Sequence, residues 1–90
     1  RLSPNARIQW YFRAGRVLGS LAAEIDNAEQ RRVNIDALNL LLNSVPFGIS
    51  ESAVKQLRDV AAFSQVNDFD TKDREKLLAM LNELRHARFE

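Results

Sequence analysis

Four helices packed as an all-α domain is the fold class that this sequence predicts, and three observations lead there. Apolar residues recur at three- and four-residue spacing with no sustained alternation, the period of a helix and not of a strand. Glycine occupies only three positions and proline two, so the breakers are few and each marks a boundary. Ninety residues, 46% of them hydrophobic and 28% charged, are enough for one core and leave no room for a second. The expected arrangement is a single domain in which three shorter helices cover a long first one. An antiparallel bundle is favoured over an irregular orthogonal array.

The first helix starts at Ser3, whose hydroxyl can cap the opening turn, with Pro4 at the first helical position, where its missing N–H is harmless. On a helical wheel Ile8, Tyr11, Gly15, Leu18, Ala22 and Ile25 form one seam. Trp10, Ala14, Val17, Leu21 and Ala28 form a second beside it. Only Gln9, Arg13, Arg16, Ser20, Glu24 and Asn27 make a polar face. Two extents fit: a continuous helix to about Arg31, some 40 Å long, or a break where Asn27 and Gln30 cap a new start.

Asn34 is expected to cap the second helix, with Val33 stapled on Leu38; the helix then runs from Ile35 to about Ser44, where Pro46 disfavours continuation. Its core face is Ile35, Leu38, Leu41, Leu42 and Val45, while Leu40 points the other way. Ser50 caps a third helix to about Phe63, burying Ala53, Val54, Leu57, Val60 and Ala61. Asp70 or Thr71 caps the last, which runs to about Arg88 on a stripe of Leu77, Met80, Leu81 and Leu84.

Composition then removes several chemistries. With no cysteine there is no disulfide, no thiolate nucleophile and no cysteine-based zinc site. The longest apolar run, Leu77 to Leu81, is far too short to span a bilayer, and no leader segment is evident. A soluble, intracellular, cytoplasmic protein without membrane contact is the expectation. Opening at Arg1 instead of Met leaves room for a fragment of a longer chain. Net charge is only +1, yet residues 1–20 hold Arg1, Arg7, Arg13 and Arg16 and no acid.

Two features of the first helix point to association. Gly15, Gly19 and Ala23 put a small residue at every fourth position, and glycine costs a helix about 1 kcal/mol relative to alanine. Close approach of another helix is the simplest compensation, from within the fold or from another molecule. Trp10, Tyr11 and Phe12, interleaved with Arg7, Arg13 and Arg16, form the richest cluster of aromatic and planar cationic groups in the chain. The leading expectation is therefore a non-catalytic protein–protein interaction domain, self-associating or docking on a partner through the first helix. Trp10, Val17 and Leu21 are its expected anchors, with Arg13 and Arg16 as the rim. In the plainer reading Tyr11 and Phe12 are core and the arginines are a solvated face.

A second class comes from residues 40–59. Counting from Leu40, the small Ser44 stands fifth, Phe47-Gly48-Ile49 eighth to tenth, Val54 fifteenth and Leu57 eighteenth. This segment resembles the helix-turn-helix signature of DNA-binding repressors. The resemblance implies that Ser50, Glu51, Ser52, Lys55 and Gln56 face the major groove of DNA in a regulatory domain; Arg7 and Arg13 of the basic start are expected as further contacts to nucleic acid. Pro46, seventh, departs from the signature and should lengthen the turn.

Other chemistries find less footing. Asp68, Asp70 and Asp73 lack the glycine and glutamate that a calcium loop needs at its sixth and twelfth positions, and capping explains them better. His86 is the lone histidine, expected opposite the apolar stripe of the last helix. No nucleophile elbow, phosphate-binding glycine loop or paired-histidine metal motif occurs, so no catalytic residue, cofactor, metal or small-molecule substrate is expected.

Overall fold

The computed structural model describes residues 4–66 and 68–87. Among them are four α-helices and no strand: α1 (Pro4–Ala23), α2 (Ala28–Leu42), α3 (Glu51–Ser64) and α4 (Thr71–Ala87). The all-α, four-helix architecture with a long first helix stands as expected. Each helix packs on its neighbour in the chain, and α1 closes the bundle more thinly against α4. The Ser3 cap and the reach of the last helix to Arg88 lie outside the described residues.

The continuous 40 Å first helix does not form. α1 stops at Ala23, about 30 Å long at 1.5 Å per residue. The break lies where Asn27 and Gln30 were able to open a new helix: the Asn27 side chain accepts a hydrogen bond from the Gln30 N–H at 3.0 Å. Between the helices the chain turns so that Ile25 is buried. The Ile25 carbonyl, left without a helical partner, accepts a 2.6 Å hydrogen bond from Arg31 Nη1. The Arg31 guanidinium also lies 4.1 Å from the Phe69 ring centroid, and Arg74 Nε donates to Asp26 at 2.8 Å. The turn is thereby held to the start of α4 from both sides.

Asn34 is consequently not a cap. It sits inside α2, only 8% exposed, and its Nδ2 finds no hydrogen-bond partner. Val33 is exposed, so the expected Val33–Leu38 staple is absent. The run from Ala28 to Val33 contains no breaker, and once Asn27 supplies the start nothing ends the helix before the approach to Pro46. Gly48 then turns the chain at φ +96°, in the left-handed region. A Cβ there would stand 2.9 Å from Cδ of the exposed Arg7 side chain, which can swing aside, so it is the backbone conformation that requires glycine.

The other two starts match their sequence signals. Ser50 accepts from the Ala53 N–H at 3.2 Å. Asp70 Oδ1 accepts from the Asp73 N–H at 2.9 Å while Asp73 Oδ2 accepts from the Asp70 N–H at 3.2 Å, a reciprocal cap that settles the choice between Asp70 and Thr71.

One buried cluster runs through all four helices, from Trp10, Ala14, Leu18, Leu21 and Ile25 through Leu38, Leu57 and Val60 to Leu77, Leu81 and Leu84. Trp10 is 4% exposed, and its indole N–H donates to the Leu41 carbonyl at 2.9 Å in the last turn of α2. Truncation to Trp10→Ala is expected to cost about 3–5 kcal/mol, out of roughly 5–13 kcal/mol for a domain of this size. Trp10→Phe should cost up to about 1 kcal/mol more than its lost area, because the Leu41 carbonyl is left with the Ser44 N–H at 3.2 Å. Urea unfolding reads both, and a near-neutral Trp10→Ala would remove Trp10 from the core. Asn34→Leu, which replaces an unpartnered buried amide by an apolar group of similar size, should gain about 1 kcal/mol; a loss would reveal a partner for the amide.

Candidate interaction surface

Burying Trp10 fixes the rotation of α1 about its axis. At 100° per residue, Trp10, Ala14, Leu21 and Ile25 lie on the inner side. Ile8, Phe12, Gly15, Gly19 and Ala23 then fall on the outer side, where all five are exposed. Ile8 and Phe12 are each 64% exposed and stand one turn apart on this face; elsewhere Leu40 and Phe47 are exposed as well. The Arg16 guanidinium carbon stands 5.9 Å from the Phe12 ring centroid, so a cation lies over an exposed aromatic face.

The glycines are not compensated within the fold. Among the described residues, and apart from the local backbone of α1 and the chain neighbours, nothing lies within 4 Å of the place a Cβ would take at Gly15 or at Gly19. Instead they line a cleft of about 730 Å³ between α1 and α4, with Leu18, Ala22, Leu78 and Leu81 along its floor and wall. A second, shallower groove of about 410 Å³ runs between α1 and α2, where Arg13, Arg16 and Val17 meet Ala37, Leu40 and Leu41. Leu40, 70% exposed, faces outward as the sequence indicated.

The residues expected to form a protein interface therefore separate. Arg13 and Arg16 are exposed and Val17 is half-buried, and these three share one groove. Trp10 and Leu21 belong to the core and cannot anchor a partner on the folded chain, because the helix turns the Trp10 seam inward. Phe12, and not Trp10, is exposed on the outer side of α1. Its signal was its position about 200° round the helix from Trp10: the two cannot both point inward, but only packing decides which does.

For the residues of the helix-turn-helix resemblance, the structure gives the following placement. Arg7 lies along the α2–α3 turn against Gly48. The turn spans eight residues, 43–50, where a helix-turn-helix uses about three or four. The Ser50 hydroxyl is engaged in capping, Ser52 and Lys55 are exposed and Gln56 is half-buried. Lys55 Nζ lies 3.2 Å from Asp59 Oδ2. Arg13 faces the α1–α2 groove instead.

A third hollow, near the starts of α2 and the loop after α3, is bordered by Arg31, Arg32, Asp36 and Ser64. Arg31 is held there by Ile25 and Phe69, and Ser64 Oγ donates to the Val60 carbonyl, so both serve the fold. Among the described residues no group of three or more His, Asp or Glu side chains could hold a metal ion, and no helix is long and apolar enough to cross a membrane. The side chain of His86 is outside the described part. Compared with known proteins, this small helical domain matches no family model, no curated protein and no solved structure.

With open space at both glycines, Gly15→Ala and Gly19→Ala are each expected to stabilise dilute protein by about 0.5–1 kcal/mol through helix propensity alone. Chemical denaturation measures it. Destabilisation at either position would mean that the α1 backbone is approached more closely than these distances allow.

Proposed function

We propose that this chain is a non-catalytic protein-interaction domain that binds through α1. The observation that carries the reading is the outer face of that helix, where exposed Ile8 and Phe12 continue into the open glycine-lined cleft. Contiguous apolar surface of this kind, bordered by polar groups, marks contact sites on soluble domains. Arg13 and Arg16 beside it supply the planar cationic rim in which interfaces are rich. Phe12 is the anchor, in the place the sequence offered Trp10, and Val17 with Leu40 extends the apolar area toward α2.

Use of α3 to read DNA has less support. Its outward side sets Glu51 and Asp59 against Lys55 and Arg58, and duplex binding depends chiefly on uncancelled positive charge.

A photoreactive phenylalanine placed at Phe12 or Ile8, in cells that naturally make the protein, is expected to give a discrete protein adduct on irradiation. The same probe at the exposed Ala62 should give none above background. Equal adducts at every position, or none at 8 and 12, would reject α1 as the binding face.

A further inference from the structure

We infer that the groove between α1 and α2 receives an acidic amphipathic helix of a partner protein, whose carboxylates meet Arg13 and Arg16 and whose apolar stripe lies on Val17 and Leu40. This rests on the interaction reading above and names the chemistry of the partner.

Charge is the first argument. Among the described residues the only charged side chains that line the groove are Arg13 and Arg16. Both are exposed, and neither lies within ion-pair distance of a described carboxylate; the ion pairs there join Lys55 to Asp59 and Arg74 to Asp26. The acids of the two walls are placed elsewhere. Asp36 borders the hollow between α2 and the end of α3, with Arg32 and Ser64. Glu24 stands eight residues beyond Arg16, about 12 Å at 1.5 Å per residue. The positive charge of the groove is thus uncancelled within the fold, and its complement is an anionic occupant. Arg16 lies over the Phe12 ring, an arrangement that keeps the N–H edges of the guanidinium plane open to a carboxylate.

Shape is the second. Val33, Ala37 and Leu40 recur at four- and three-residue spacing along α2 and share one stripe. Val33 is 55% and Leu40 70% exposed, while Val17, Ala37 and Leu41 are half-buried below them. The stripe is about 10 Å long, or two helical turns, and a groove between two packed helices is a seat for the apolar face of a third. Arg13 and Arg16 are one turn apart, the separation of two carboxylates three or four residues apart on the occupant. A nucleic-acid duplex would offer phosphates to the arginines and nothing apolar to Leu40. A bilayer is met by a protruding apolar face, whereas Val17 lies in a hollow.

Helical peptides with randomised faces, displayed and selected on the purified chain, test it. Recovered sequences are expected to carry Asp or Glu three or four residues apart beside Leu, Ile, Phe or Trp, and to bind at micromolar concentration by fluorescence anisotropy. Leu40→Asp should weaken the recovered peptide roughly tenfold or more, and Arg13→Gln and Arg16→Gln roughly two- to fivefold each. Arg13→Glu combined with Arg16→Glu should instead prefer the peptide whose acids are replaced by lysine. All three positions are exposed, and circular dichroism with melting temperature checks that each variant keeps the fold.

No selectable peptide, a selection without acids, or acidic peptides indifferent to Leu40→Asp or to the arginines overturns the proposal. So does a DNA duplex or a phosphatidylserine vesicle that binds through Arg13 and Arg16 where no peptide does. If none of these peptides is recovered yet the photoprobe at Phe12 or Ile8 gives its adduct, α1 remains the binding face and only the acidic helix is wrong. If both experiments fail, the interaction reading falls with it.

Discussion

The hydrogen bond from the Trp10 indole to the Leu41 carbonyl sets the geometry on which the rest of this domain depends. It joins the first third of α1 to the last turn of α2, where the Leu41 carbonyl otherwise relies on the Ser44 N–H at 3.2 Å. Because the indole is also among the most buried groups, the contact fixes both the position and the rotation of α1. The inward side then becomes Ala14, Leu18, Leu21 and Ile25, against Leu38 of α2 and Leu77 and Leu81 of α4. The outward side follows with no further choice. Phe12 is exposed because Trp10 is buried.

The far end of α1 is set differently, by side chains reaching in from other elements. Neither glycine nor proline ends the helix after Ala23; Ile25 folds into the core, and Arg31 and Arg74 secure the turn from α2 and α4. That explains which parts of the fold were legible in the sequence. Helix starts are local chemistry, so Ser50 and Asp70 could be identified from a few neighbouring residues. The end of α1 is tertiary, and the sequence could only hold two extents open. Asn34 misled for a related reason: its residue type suits a cap, yet Asn27 had already opened the helix, and the asparagine was carried into a buried place where its amide has no partner.

The exposed face of α1 was legible to the same degree and lost at the same kind of point. Small residues at 15, 19 and 23 and the arginines at 13 and 16 are properties of the helix itself, and they lie on the outside as the wheel allows. Two apolar seams side by side made the wheel too broad to say which aromatic faces in. The positions of α2 and α4, contacts distant in sequence, made that decision, exchanging the expected anchors Trp10 and Leu21 for Phe12 and Ile8. The eight-residue turn at 43–50 was foreshadowed by Pro46 alone.

The three glycines show how local cost separates structure from function in this chain. Gly48 is required by its own fold, because its φ is positive. Gly15 and Gly19 are required by no contact among the described residues, since each could carry a methyl group into open space. They lower helix propensity in the element that organises the core, a conflict between local preference and global fold. Such conflicts are expected at functional positions. The same two residues open the cleft beside Leu78, and they stand on the face where Phe12 is exposed.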